Sequence, residues 1–127
     1  MKEQEHYIQE TCVRWFNMQF PQYRGLLFAV PNGGARSKAT AGKMKAEGVV
    51  AGVADLILLK PMSHPAHDDP GWYNYFHGLC IEMKTPKGYQ SASQKEWQAK
   101  VEEQGYQYSV CRSLNEFIAT IKKYLKV

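Results

Sequence analysis

Short apolar segments bounded by turn residues set the strongest limit on the fold of this chain. The longest uninterrupted apolar stretches cover residues 26–30 and 56–59, and glycines or prolines stand close to both. A helix that crosses a bilayer needs about 20 apolar residues, whereas a short apolar run between turn residues is typical of a buried strand. The pattern therefore predicts a small sheet and no membrane span.

Helical periodicity alternates with these strand segments along the 127 residues, a length that suits one domain with its own core. We expect a single domain over residues 1–127, with the element order α-β-α-β-β-α-β-α and a four-stranded mixed sheet flanked by helices, an α/β fold. Strands are predicted at 26–30, 53–59, 78–84 and 106–112, and helices at 3–18, 37–47, 93–105 and 113–125. Ser37 is the expected cap of the second helix, and the spacing of Ser93 and Glu96 predicts a capping box at the third.

The cysteines and the charge narrow the functional classes. Cys12, Cys80 and Cys111 are odd in number and lack CxxC spacing, so a disulfide framework and a zinc ribbon are both unsupported and the thiols are expected to be buried and reduced. A formal net charge of +4 is compatible with a polyanionic partner. The polar N-terminal residues carry no apolar signal core, so we expect a cytoplasmic protein that does not associate with membranes.

Acidic residues interrupt two of the predicted buried strands. Asp55 stands in the second strand, and Glu82 shares a face of the third with Lys84 because side chains alternate along a strand. Glu5 lies on the inward stripe of the first helix. Taken singly, Asp55 could be a strand cap, and Glu82 with Lys84 could be an ordinary ion pair at the end of a strand. Together they favour a site of hard oxygen ligands suited to Mg²⁺ beside a cationic group.

These residues resemble a known family. The sequence Gly-Val-Ala-Asp at 52–55, followed by Glu82-Met83-Lys84, resembles the core of the PD-(D/E)xK nucleases, although Ala54 replaces the proline of that motif. The sequence from Pro31 to Arg36, residues 45–49, and Gln94 followed by Trp97 are similar to the VRR-NUC branch, the virus-type replication-repair nucleases.

The resemblance implies a restriction-endonuclease-like core and a set of roles. Asp55, Glu82 and the Met83 carbonyl would bind Mg²⁺ or Mn²⁺, and Lys84 would orient or activate the attacking water. Glu5 would be an additional direct or water-mediated ligand. The family's glutamine near the site corresponds to Gln94.

Basic residues around the second helix are candidates for contact with DNA. The segment from 36 to 45 contains no acidic residue, and a solvated helix face is an equally good explanation of its lysines. The candidates for nucleic-acid contact are Asn32, Arg36, Lys38, Lys43 and Lys45.

The resemblance implies a metal-dependent, structure-specific DNA endonuclease, and we expect a homodimer that resolves Holliday junctions or cuts other branched DNA such as forks and flaps. A non-catalytic nucleic-acid-binding module with a nuclease-like fold is the alternative, and a hydrolase of small phosphoesters is a third interpretation. The dependence of binding on salt concentration distinguishes this third interpretation from the other two, because counterion release makes the affinity for DNA fall as the salt concentration rises.

Two further patterns are given structural explanations. His64 and His67 lie in a proline-containing segment at 60–77 that we expect to be an exposed loop, and such a loop holds metal ligands poorly. Aromatic residues at helical or strand spacing are more often core than base-stacking groups. This second interpretation covers Trp15, Trp97, Tyr106 and Tyr108, whereas Trp72, Tyr73 and Tyr75 are left open to contact with a partner or DNA.

Overall fold

The computed structural model describes residues 3–31 and 37–127 of the chain. Its helices are α1 (Glu3–Gln19), α2 (Lys38–Ala46), α3 (Ala92–Glu103) and α4 (Leu114–Leu125), with one 3₁₀ turn at Pro21–Tyr23. Its strands are β1 (Leu27–Ala29), β2 (Leu56–Leu58), β3 (Met62–Pro65), β4 (Tyr73–Phe76), β5 (Leu79–Met83) and β6 (Gln107–Cys111).

The main sheet has four strands in the order β1-β2-β5-β6, which confirms the predicted mixed sheet. Strand β2 is antiparallel to both of its neighbours, with Leu56 opposite Ile81, whereas β5 and β6 are parallel. Helix α3 supplies the crossover between the parallel pair, as parallel pairing requires. Because β2 and β5 run in opposite directions, the start of β2 and the end of β5 meet at one edge of the sheet, called here the site edge.

Side chains on the two faces of the sheet enter two separate cores. One face packs with α1 and α4 through residues such as Phe16, Leu56, Ile81 and Phe117, all fully buried. The opposite face packs against α3 through Ala54, Cys80 and Tyr108, with Trp97 partly buried beside them. Trp15 and Tyr106 also pack against these cores, so the packing interpretation is confirmed for all four aromatic residues.

A hairpin occupies the segment that we expected to be an unstructured loop. Strands β3 and β4 pair antiparallel, with His64 opposite Asn74, and one face of this hairpin rests on helix α4. His64 Nε2 lies 2.9 Å from the carbonyl oxygen of Tyr124, and its ring contacts those of Tyr124 and Phe76. The expectation of an exposed His64 was therefore wrong, whereas His67 is exposed as expected.

The N-cap of helix α3 lies two residues earlier than the predicted cap. Ser91 is its N-cap, with the backbone N–H of Gln94 donating to the hydroxyl and the Gln94 side chain accepting from the Ser91 backbone. The capping box is therefore Ser91 with Gln94, and the pairing of Ser93 with Glu96 was wrong. Ser37 caps α2 as predicted.

The described residues also bear on the predictions about membrane spans and cysteines. No helix within residues 3–31 and 37–127 is both long and apolar enough to cross a bilayer. Cys12, Cys80 and Cys111 are all buried free thiols, as the sequence predicted.

Candidate active site

Asp55 and Glu82 lie together at the site edge, almost completely shielded from water. Asp55 precedes β2 and is 7% exposed, and Glu82 lies in β5 and is 2% exposed. The Asp55 side chain accepts the backbone N–H of Met83 at 2.7 Å, and its own carbonyl accepts the N–H of Val30 at 2.9 Å. Asp55 therefore ties β2 both to the end of β5 and to the chain leaving β1.

In the part of the chain that the structure describes, the carboxyl group of Glu82 lies beside that of Asp55 and has two further polar contacts, both on one oxygen. Its Oε2 accepts a hydrogen bond of 3.0 Å from Gln94 Nε2 and lies 3.7 Å from Lys84 Nζ. Its Oε1 is buried and has no hydrogen-bond partner among the residues that the structure describes. A buried carboxylate oxygen without a partner is costly, so this atom marks a position that a ligand could satisfy.

The electrostatic environment favours an added cation. Burial and, after it, the neighbouring carboxyl group of Asp55 together raise the pKa of Glu82 from 4.5 to about 8. Lys84 acts in the opposite sense, while Glu5 adds a smaller contribution that raises the pKa. Among the described residues, these two buried carboxylates have one ammonium group beside them, that of Lys84. The excess negative charge can be neutralised either by a proton or by a metal ion.

The donor set at the site edge fits a hard divalent cation. Asp55 and Glu82 would supply carboxylate oxygens, the Met83 carbonyl would add a backbone oxygen, and Glu5 is near enough to influence Glu82. Within the described ranges, no three His, Cys, Asp or Glu side chains form a ready-made metal cluster. Mg²⁺ commonly binds through one or two carboxylates and keeps several waters, so two carboxylates are sufficient.

Gly52 allows helix α3 to approach the site. It has a φ of +83°, and a Cβ placed on it would overlap the carbonyl oxygen of Ser93 and come within 2.9 Å of the Gln94 nitrogen. Only glycine combines this backbone conformation with so close a contact. Because Gly52 stands three residues before Asp55, its contact with α3 brings Gln94 to the carboxylates.

Lys84 is held by its backbone and by the turn that follows it. Its N–H donates to the carbonyl of Cys111 at 3.0 Å, and its side chain is only 14% exposed. Arg112, which sequence reasoning missed, donates from Nη1 to the carbonyls of Thr85 at 2.8 Å and Gly88 at 2.6 Å. No local pattern could have revealed these contacts, because the partners lie 24 to 27 positions away in the chain.

The predicted DNA-contacting residues divide into two groups. Lys38, Lys43 and Lys45 are exposed, and helix α2 has no buried residue. An open pocket between α2 and the segment 48–52 includes Lys45 and ends at Gly52, close in sequence to Asp55. Asn32 and Arg36 lie outside the described residues.

Comparison with known proteins agrees with this geometry. A sequence model of the VRR-NUC domain matches residues 3–115, a range that includes every candidate residue of the site edge. A solved structure described as a VRR_NUC domain protein is similar over 99% of this chain and 91% of its own, with a TM-score of 0.74 and 26% sequence identity. Comparison with curated protein sequences gave no match. The chain therefore belongs to the VRR-NUC domain family, a family with a nuclease fold.

Proposed function

We propose that this protein is a Mg²⁺- or Mn²⁺-dependent, structure-specific DNA endonuclease that hydrolyses phosphodiester bonds. The observation that carries the proposal is the unpartnered buried oxygen of Glu82 beside Asp55 and Lys84. Because this oxygen accepts no hydrogen bond from the residues that the structure describes, it is available as a metal ligand. Membership of the VRR-NUC domain family supports hydrolysis of phosphodiester bonds as the reaction class.

The residues that would hold the metal are Asp55, Glu82, the Met83 carbonyl and, directly or through water, Glu5. A bound Mg²⁺ or Mn²⁺ would lower the pKa of a coordinated water and neutralise charge on the phosphate oxygens. Gln94 keeps one oxygen of Glu82 in a fixed direction through its hydrogen bond of 3.0 Å. The N–H of Met83 does the same for Asp55.

Lys84 contributes positive charge to the site. Its ammonium lies 3.7 Å from Glu82 Oε2 in a largely water-excluded position, where a fixed charge stabilises a developing anion more strongly than it would in water. From there Lys84 would orient the attacking water or stabilise the charge that accumulates on the phosphate.

Branched DNA is the substrate that we propose. The exposed lysines of α2 and the net charge of +4 suit a phosphate backbone. A four-way junction has two symmetry-related scissile positions, and a two-fold homodimer presents two active sites in matching symmetry. Holliday-junction resolution by a homodimer is therefore the specific activity proposed, with forks and flaps as related substrates.

A cleavage assay tests the proposal. Synthetic four-way junctions, forks and linear duplexes of matched sequence are incubated with Mg²⁺, Mn²⁺ or EDTA. Paired nicks on the junction should appear with metal and disappear with EDTA, with Asp55→Asn and with Lys84→Ala. His67→Ala is the matched control, because His67 is exposed on the hairpin, and it should cut like wild type.

Other outcomes of that assay would change the conclusion. Metal-dependent cutting of forks alone would keep the endonuclease and replace its substrate. Tight junction binding without cutting under any metal would contradict the endonuclease and favour a binding module. A protein that sediments as a monomer at micromolar concentration and cuts flaps but not junctions would contradict the homodimeric resolvase.

A further inference from the structure

The turn that follows Lys84 is fastened at its first end by Arg112. The Arg112 guanidinium donates to the carbonyls of Thr85 and Gly88 at 2.8 and 2.6 Å, while the N–H of Gly88 closes the turn onto the Thr85 carbonyl at 3.0 Å. Hydrogen bonds from a charged group to carbonyls are stronger than neutral ones. The backbone of this turn is therefore held in one conformation.

The segment is fastened again at its far end. Gln90 donates from Nε2 to Gln98 Oε1 at 2.9 Å and to the hydroxyl of Tyr108 at 3.2 Å. Both partners are themselves fixed, since Gln98 lies on α3 and Tyr108 is buried in β6. Residues 85–90 therefore form a short segment that is held at both ends, called here the fastened segment.

Gly88 of the fastened segment lies beside the side chain of Lys84. A Cβ placed on Gly88 would come within 3.5 Å of Lys84 Cδ, so the backbone at Gly88 covers the aliphatic part of that side chain. The next residue, Tyr89, therefore leaves the backbone directly after the residue that lies beside Lys84.

Tyr89 is the most exposed large hydrophobic residue among those that the structure describes, at 87% exposure. Lys87 is also exposed in the same segment. The residues on either side of Tyr89 are held by hydrogen bonds, and its own side chain does not pack into the core. Its ring is available to a ligand that carries a flat apolar face and a nearby negative charge.

We propose that Tyr89 stacks on an unpaired base next to the scissile phosphate, and that Lys87 binds an adjacent phosphate. The proposal rests on the proposed endonuclease function and specifies how branched DNA is recognised. Bases within a continuous duplex are covered on both faces by their neighbours, whereas bases that are unstacked at a fork or junction expose a face for an aromatic side chain. Tyr89 therefore favours branched DNA over linear duplex.

The test measures binding without cleavage, in an Asp55→Asn background, on a fork with unpaired nucleotides and on a linear duplex of equal length. Tyr89→Ala should weaken fork binding by roughly tenfold, the size expected for loss of one base–aromatic stack, and leave duplex binding unchanged. Tyr89→Trp should retain the preference for the fork. Tyr7→Ala is the matched control, because Tyr7 is also exposed but lies on helix α1 and has no proposed role in DNA binding.

The fluorescence of a base analogue is a second measurement, and it locates the contact between Tyr89 and the unpaired base. 2-Aminopurine at the unpaired position should lose fluorescence when the Tyr89 protein binds and keep it when the Tyr89→Ala protein binds. Equal fork affinity for both proteins, or equal losses on fork and duplex, would overturn the inference. Failure of the endonuclease is recognised separately: wild type would bind the fork with the expected Tyr89 dependence yet cut no substrate with Mg²⁺ or Mn²⁺.

Discussion

The amide of Gln94 connects the start of helix α3 to the carboxylate of Glu82. Its Nε2 donates to Glu82 Oε2 at 3.0 Å, while its Oε1 accepts the backbone N–H of Ser91 at 2.8 Å. The second contact orients the amide, so that its NH₂ group and not its oxygen faces the carboxylate. One side chain therefore both caps the helix and positions a candidate metal ligand.

Replacing Gln94 should affect cleavage more than folding. Gln94→Ala removes the donor to Glu82, and loss of a partner that orients a metal ligand typically lowers activity about 10- to 100-fold. Ser91→Ala is the control, because it removes the capping hydroxyl at a cost of about 1 kcal/mol but keeps the backbone N–H that orients Gln94. Cleavage rates and thermal melting of both variants test this, and equal rate losses would contradict it.

The metal-free protein should lose stability as the pH rises. The pKa of Glu82 is raised from 4.5 to about 8 in the folded state, so the folded protein binds this proton more tightly than the unfolded chain does. The resulting stabilisation is complete below pH 4.5 and is lost as the pH rises through about 8.

Denaturant unfolding in the presence of a chelator measures this dependence. Glu82→Gln should show a weaker decline over the same pH range and should cut no DNA. Adding Mg²⁺ at the alkaline end should stabilise wild type more than the variant, because only a ligand that binds the folded state raises its stability. A decline of equal size in wild type and variant would show that Glu82 is not the responsible group.

Gly52 should tolerate no side chain. Gly52→Ala combines an unfavourable positive φ with an overlap between the new Cβ and the Ser93 carbonyl, so we expect a loss of at least about 1–2 kcal/mol from the backbone alone and a displaced α3. Gly48→Ala is the matched control, because Gly48 also has a positive φ, of +104°, but nothing lies within 4 Å of a Cβ there.

Comparison of the two glycine variants separates the effect of backbone strain from the effect of the close contact with Ser93. Melting temperature should fall in both, whereas cleavage and Mg²⁺ affinity should fall clearly only in Gly52→Ala, since only that change moves Gln94. Comparable cleavage by the two variants at a temperature where both are folded would contradict this role.

The hairpin should depend on one of its histidines. His64→Ala removes the contact between His64 Nε2 and the Tyr124 carbonyl at 2.9 Å and should destabilise the protein by about 1–3 kcal/mol. The exposed His67 should accept the same substitution without a measurable change in the urea midpoint. If both variants unfold at the wild-type midpoint, the hairpin is not held through His64.

Much of this organisation can be predicted from local sequence. Apolar runs with turn residues predicted the strands of the main sheet, although β2 extends only over Leu56–Leu58 and is shorter than predicted. The hairpin was missed because β3 carries His64 and Pro65, which do not alternate with apolar residues as strands usually do. In the folded protein His64 contacts Tyr124, which lies 60 positions away in the chain.

The sequence alone determined which chemical groups the candidate site contains, because burying carboxylates and a lysine within apolar strands costs free energy unless these groups have partners. It also predicted that Glu82 and Lys84 share a face, since strand periodicity is a local property. Only the tertiary structure decided that one Glu82 oxygen accepts no hydrogen bond from the described residues, that Gly52 admits α3, and that Arg112 fastens the turn beside Lys84. These contacts join segments that are distant in the chain, and the packing of the folded protein sets their distances.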